Sequence, residues 1–356
     1  MPPPPAPSIL GAASALPGPG ASQQELLKEL ELLWSGRPID WGRLERIHRA
    51  TRVERRHFAL PLSKRKALIS FSARNRFWQE EAAALAERAL VDALARANLA
   101  PQDLDHLFLV TSTGVALPGL DARLANRLRL KDVLVRWPLA GFGCLGGGAG
   151  LVRATEVLHS FPEQTAALLA VELFSCTLQL EDLSDANLIA TGLFGDGAGA
   201  VVLGGGERPR TGGPRVVATR SVLFPDTEWV MGWDVRDTGF GVVLSEKVPA
   251  LVRSLARGPV DSFLASVGMR RGDVRHWIVH PGGPKVLQAL QSALELPEGA
   301  LRHSWLSLAQ VGNLSAASVL HVLCGALDEG EAHAGEVGLV LAFGPGFGAE
   351  LALLRW

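Results

Sequence analysis

Cys144 stands between Gly143 and a run of small residues, Gly146-Gly147-Gly148-Ala149-Gly150, that leads into Leu151-Val152-Arg153-Ala154. Strand-like residues 132–139, with Val133, Leu134, Val135 and Trp137, come just before it. The pattern predicts a strand end, a sharp turn, a cysteine and a helix. A thiol at a helix N-terminus meets unpaired N–H groups and the positive end of the helix dipole, which favour its anion. The thiolate is the nucleophilic form of cysteine. The same stretch also fits a buried structural cysteine, because free cysteine is among the most buried residue types.

The second half of the chain decides between these readings. Gly312-Asn313-Leu314-Ser315-Ala316-Ala317-Ser318 repeats the design of the Cys144 stretch: a glycine, a polar or reactive residue, leucine, small residues, then an apolar helix. A second echo follows each copy, Phe194-Gly195-Asp196-Gly197-Ala198-Gly199-Ala200 and Phe343-Gly344-Pro345-Gly346-Phe347-Gly348-Ala349. Two matched pairs in one order imply an internal duplication. Cys144 and Phe194 are 50 residues apart and Asn313 and Phe343 only 30, so the first half is expected to hold an insertion within residues 174–191. In a duplicated fold Cys144 and Asn313 are pseudo-symmetric and face each other across the join. The third chemical residue is His280, in Trp277-Ile278-Val279-His280-Pro281-Gly282-Gly283-Pro284. A histidine between a short apolar strand and a Pro/Gly turn projects into a loop region, where sites tend to lie. The other eight histidines lack such a setting and most are expected at the surface.

The elements that must position these residues alternate between strand and helix, which implies an α/β fold with sheets covered on both faces. Residues 1–22 are rich in Pro, Ala and Gly and read as a disordered tail, without the basic and apolar regions of a signal peptide. The halves are expected at 23–205 and 206–356, joined through a polar, Gly/Pro/Arg-rich segment at 204–214. Helices are expected at 23–33, 41–58, 75–97, 120–128 and 285–294, and strands near 107–110, 166–171, 201–203, 278–279, 337–343 and 351–355. Between Arg43 and Arg76 there are eleven Lys/Arg against Glu45 and Glu54. This fits a solvated helix face or an anion site for a phosphorylated ligand.

The 356 residues are 47% hydrophobic with a mean hydropathy of +0.19, enough for a large core, and no apolar run is long enough to span a membrane. A net charge of −1 argues against nucleic acid as a partner. Three cysteines (Cys144, Cys176, Cys324) without ligand-like spacing suggest a reducing, cytoplasmic setting, no disulfides and no metal site. Tyrosine is absent, so no tyrosine general acid is available.

Cys144, His280 and Asn313 in these settings, together with Phe343-Gly344-Pro345-Gly346, resemble the type III polyketide synthases, the chalcone-synthase-like branch of the thiolase superfamily. The resemblance runs from residue 40 to the end of the chain. Residues 121–128, Asn187-Leu188-Ile189-Ala190-Thr191-Gly192-Leu193, Met231-Gly232-Trp233-Asp234 and Thr238-Gly239-Phe240 are most similar to the bacterial alkylpyrone and alkylresorcinol synthases. It implies a thiolase-like fold, two pseudo-symmetric halves in an α-β-α-β-α core, and a homodimer. It implies acyl-CoA and malonyl-CoA as substrates, a long-chain fatty acyl starter, and neither cofactor nor carrier protein.

The resemblance also implies residue roles. Cys144 accepts the starter acyl group. His280 holds the thiolate as an ion pair and helps position the malonyl thioester, whose carbonyl Asn313 hydrogen-bonds. Phe194 is a gatekeeper between CoA tunnel and cavity, and Val242, with Phe240 nearby, falls at the second gate. Arg43 and Arg46 meet the CoA phosphates. Thr113, Thr177 and Ser315 line the cavity, and Leu117 reaches across the dimer. Gly344, Pro345 and Gly346 form the turn that favours this branch over the ketoacyl-carrier-protein synthases of the Cys-His-Asn type. Papain-like proteases share the Cys-His-Asn chain order, but their Trp after the cysteine is missing here. A non-catalytic scaffold of the same fold is the third alternative.

Overall fold

The computed structural model describes residues 5–208 and 212–356. Strand β1 (Ser8–Ala15) comes first. A two-residue ribbon, β2 (Ala21–Ser22) with β3 (Arg55–Arg56), then encloses helices α1 (Gln23–Leu33) and α2 (Trp41–Ala50). Ser22 and Glu25 form a capping box that starts α1, and the Asp40 carboxylate accepts from Arg43 N to start α2. Helix α3 (Phe71–Arg96) begins on a Ser70 cap. There follow β4 (His106–Val110), α4 (Leu120–Arg127), β5 (Val135–Leu139), α5 (Gly146–Ser160), β6 (Thr165–Leu173), α6 (Asp185–Leu193) and β7 (Asp196–Gly204).

The second half opens with β8 (Arg215–Leu223) and the hairpin β9 (Met231–Arg236) and β10 (Gly239–Leu244). It continues through α7 (Val248–Leu255), α8 (Arg257–Ser266), β11 (His276–Val279), α9 (Pro284–Ala293), α10 (Arg302–Val311) and α11 (Ala316–Glu329). It ends in β12 (Val337–Gly344) and β13 (Gly348–Arg355).

The strands run in the order β11-β12-β13-β8-β1-β7-β6-β4-β5. The duplication is visible in the ladders. β1 is antiparallel to β7, β7 antiparallel to β6, and β6 parallel to β4. In the second half β8 is antiparallel to β13, β13 antiparallel to β12, and β12 parallel to β11. The halves meet where Ser8 pairs with Arg215. The expected insertion is α6: the step from β6 to β7 holds it, while Pro345-Gly346-Phe347 alone make the step from β12 to β13.

Three apolar layers hold the molecule. α3 and α4 cover the outer face of the first half through Ala82, Ala86, Ala89 and Ala93. α7, α8, α9 and α10 cover the outer face of the second half through Val252, Phe263, Leu287 and Leu308. Between the halves lie α5 and α11, whose Leu151, Ala154, Ala317 and Leu320 touch Phe108 and Leu168 on one side and Ile278 and Val340 on the other. This is the α-β-α-β-α arrangement. α5 and α11 approach closely because Gly147 has no Cβ; one there would meet Ala316 O at 2.3 Å.

The tail expectation is corrected. Met1–Pro4 lie outside the described residues, but Ser8–Ala15 is a buried strand in the middle of the sheet. Its small residues are a packing requirement, since a Cβ at Gly11 would stand 2.5 Å from Ala93 O of α3. The expected joining segment 204–214 falls between β7 and β8, and its residues 209–211 lie outside the described residues. The helix expected at 41–58 stops at Ala50, and Arg52 turns left-handed at φ 55°. Of the other histidines only His159 and His333 are exposed; His48 and His106 are buried.

Candidate active site

The Cys144 turn is built by glycines and by the other half of the molecule. Gly143 (φ 45°) begins a single helical turn, Gly143–Leu145, that runs directly into α5. A Cβ on Gly143 would lie 3.0 Å from the Pro345 ring, and one on Gly344 would lie 2.3 Å from Leu145 N. The Gly344-Pro345-Gly346 turn therefore presses on the backbone that carries the cysteine, and Cys144 sits at the N-terminus of the central helix.

Asn313 occupies the matching place before α11 and gathers the site around itself. Its Oδ1 accepts from Ser315 N at 2.7 Å and Ser318 Oγ at 3.3 Å. Its Nδ2 donates to Gly282 O at 3.3 Å, two residues beyond His280. Its backbone pairs with the Phe194 segment: Asn313 N donates to Leu193 O at 2.9 Å, and Gly195 N donates to Asn313 O at 3.1 Å. The side chains of Asn313 and Ser315 stand by the Cys144 thiol and favour its anion. His280 lies just past β11 and is buried. Neither of its ring nitrogens has a hydrogen-bond partner among the described residues. A buried imidazole without partners costs stability.

Burial pushes the Cys144 thiol up to about 11, and the polar side chains of Ser315 and Asn313 draw it back. Burial alone pushes His280 down to about 3. Each charge is thus disfavoured in isolation. Cys144 keeps part of its surface open, as a nucleophile that must be reached requires.

A buried carboxylate, Glu172 near the end of β6, lies behind the cysteine. It accepts from Ser112 N at 2.9 Å, Ser112 Oγ at 2.8 Å and Thr113 Oγ1 at 2.9 Å, and from the backbone of Ala316 at the start of α11. Burial pushes it up to about 7, against these hydrogen bonds. When ionised, its charge opposes the Cys144 thiolate.

Comparison with known proteins assigns the family. The N-terminal domain of chalcone and stilbene synthases matches residues 43–207, and their C-terminal domain matches residues 215–356. The chain is 46% identical, over 98% of its length and 93% of the relative's, to a 1,3,6,8-tetrahydroxynaphthalene synthase of Streptomyces peucetius subsp. caesius. The chain belongs to the chalcone and stilbene synthase family, the type III polyketide synthases. It is 30% identical to a phloroglucinol synthase of Pseudomonas fluorescens, over 94% of this chain and 95% of that one. The crystal structure of the bacterial type III polyketide synthase 1,3,6,8-tetrahydroxynaphthalene synthase from Streptomyces coelicolor superposes with a TM-score of 0.92 at 32% identity, covering 98% of this chain and 99% of that chain. Members of this family are acyl-condensing transferases that use malonyl-CoA.

In this type III synthase the remaining expected residues lie in different places. Phe194, Thr177, Phe240 and Val242 line one small cavity of ≈ 40 Å³. Cys144 does not line it; Phe194 links the two, with its ring on the cavity and its backbone on Asn313. Thr113 is not on that wall, because its hydroxyl donates to Glu172 and accepts from Trp78 Nε1 and Leu173 N. Leu117 is 98% exposed on the single chain and away from the cavity. Arg43 is paired with Asp185 at 2.5 Å, so the α2 face is tied to α6.

Three contributors were not legible from the motifs. Glu172 had a signal, a lone charge in the otherwise buried run Thr165–Leu173. Phe174 stacks on Phe194 with centroids 4.2 Å apart and rings 5° from parallel, and Trp233 closes the same wall at 5.7 Å from Phe174. Both belong to segments whose contacts cross between halves, which periodicity does not reveal.

Proposed function

We propose that this enzyme builds a small polyhydroxylated aromatic from malonyl-CoA, using a short starter rather than a fatty acyl chain. The observation that carries the reading is the aromatic filling of the cavity. Phe174, Phe194, Trp233 and Phe240 leave about 40 Å³ free, far below the several hundred Å³ of a typical ligand pocket. The relative at 46% identity, a 1,3,6,8-tetrahydroxynaphthalene synthase, supports the same product class. The resemblance to alkylpyrone and alkylresorcinol synthases implied a long-chain starter, and a wall of stacked rings offers such a chain little room.

The reaction follows from the residues. The Cys144 thiolate displaces CoA from the starter thioester, and His280 takes the thiol proton. Malonyl-CoA then loses carbon dioxide, leaving an enolate on the thioester oxygen. Asn313 and the protonated His280 stabilise that oxygen, and losing one such donor typically costs about 3 kcal/mol of barrier. The enolate carbon attacks the acyl-Cys144 carbonyl, a carbon–carbon bond forms, and the thiolate leaves. Repetition lengthens the chain two carbons at a time until it closes on itself. In this reading Arg43 and Arg46 meet CoA, no metal or organic cofactor takes part, and no carrier protein is needed. The exposed Leu117 enters a partner copy, and the enzyme works in the cytoplasm.

Incubation with malonyl-CoA alone, and with acyl-CoA starters of increasing length, tests this by mass spectrometry of the products. An aromatic product from malonyl-CoA alone, abolished in Cys144→Ala, supports it. Product formed only with long acyl-CoA restores the alkylpyrone and alkylresorcinol reading. Product formed only when malonyl-carrier protein is added points to a ketoacyl synthase.

A further inference from the structure

Arg56 is fully buried and makes no ion pair among the described residues. Its guanidinium is held by neutral oxygens. Nη1 donates to Phe194 O at 2.8 Å, and Nε and Nη2 donate to Gln23 Oε1 at 3.1 and 2.7 Å. Its stem lies under the Asn313 turn. A Cβ on Gly312, which sits at φ 74°, would come within 3.0 Å of Arg56 Cγ and Cδ. Gln23 completes the hub, with Nε2 donating to Gly192 O at 2.6 Å and Thr51 Oγ1 at 3.2 Å. Asp196 favours the charge from a distance, yet burial still pulls the guanidinium down to about 9. An apolar side chain of similar volume would avoid that desolvation.

The geometry places Arg56 at one joint. The carbonyl it holds belongs to Phe194, while the flanking Leu193 O and Gly195 N are the groups that pair with Asn313. Arg56 thus touches both strands of the Phe194–Asn313 bridge, one by hydrogen bond and one by packing. We propose that Arg56, oriented by Gln23, is a positioning residue that sets Asn313 against Cys144 and Phe194 against the growing chain. Its action passes through backbone, so it contacts neither substrate nor the reacting atoms. The inference rests on the reading of Cys144, His280 and Asn313 as the condensing site. A shift of about 1 Å at such a site can change rates by about 100-fold.

The test compares Gln23→Leu, Gln23→Glu and Arg56→Met in the full chain. Gln23→Leu removes the acceptor that orients Arg56, whereas Gln23→Glu keeps one. Melting temperature reports folding. The pH dependence of Cys144 alkylation by iodoacetamide, followed by mass spectrometry, reports the Asn313–thiol contact without any substrate. In Gln23→Leu the alkylation midpoint is expected to rise by about one pH unit. Its kcat is expected to fall about tenfold with KM for malonyl-CoA little changed, and prematurely released short chains to increase. Gln23→Glu keeps the acceptor for Arg56 but loses the donor to Gly192 O, so it should fall between Gln23→Leu and the unaltered enzyme. Folded Gln23→Leu with an unchanged alkylation profile and product pattern overturns the proposal, even if Arg56→Met fails to fold. Because alkylation needs no substrate, a wild-type enzyme inactive on malonyl-CoA would overturn the proposed function and leave this test readable.

Discussion

Phe174 and Glu172 are two residues apart, and they control different properties of the site. Phe174 fills space. Phe174→Ala removes the ring that stacks on Phe194 and should cost about 3 kcal/mol of stability. The same change should admit acyl-CoA starters several carbons longer, which competition among starters would measure; an unchanged starter preference would refute the role. Glu172 controls charge. Burial raises its folded pKa to about 7 from the usual carboxylate value, so the folded state holds a proton that the unfolded chain has released. Its contribution to stability is therefore lost as pH rises through that window, at up to about 1.4 kcal/mol per pH unit. Glu172→Gln should flatten this slope in melting temperatures measured from pH 4.5 to 7.5. It should also make Cys144 easier to alkylate above pH 7, because the opposing charge is gone.

At the scale of elements, the site depends on how closely α5 and α11 meet. In Gly147→Ala the new methyl would stand 2.3 Å from Ala316 O and 2.6 Å from Val319 Cγ1, so the helices must separate. Overpacking of this kind costs about 1–3 kcal/mol. Here it should also lower kcat beyond the loss of folded enzyme, since Cys144 and Asn313 lead into those helices. Retention of full kcat in the folded variant would show that the spacing is not critical. This pairing was readable in advance because both copies carry the same small-residue run, and backbone contact requires small residues wherever it occurs. The Cys144, His280 and Asn313 settings were readable for a similar reason: each is marked by glycine or proline at a turn. β1 was not, because Ser8–Ala15 has the composition of a loop and becomes a strand only between β7 and β8. The early end of α2 and the β9–β10 hairpin were also hidden, the first by a left-handed Arg52 and the second by contacts across the cavity wall. Arg56 looked like one member of a basic run, and only tertiary contacts separate it from Arg55.

For the whole molecule, β5 matters most because it forms one end of the sheet and pairs only with β4. Its outward residues include Val135 and Trp137, with Val133 and Leu117 exposed nearby. An uncovered apolar edge strand invites pairing with another chain. If the proposed dimer pairs through this edge, Val135→Glu should give monomers by analytical ultracentrifugation while leaving the single chain folded. A dimer that persists would place the contact elsewhere.

The position of β1 also governs the order in which the polypeptide can assemble. Its partners are β7, ending at Gly204, and Arg215 of β8. β1 therefore waits for the two hundred or so residues that follow it before it can pair. Contacts of such sequence separation slow folding and leave apolar surface open in the interval. A shortened polypeptide beginning at Gln23 would lack the strand that joins the two halves. Such a chain should accumulate as aggregate rather than as a trimmed, active enzyme.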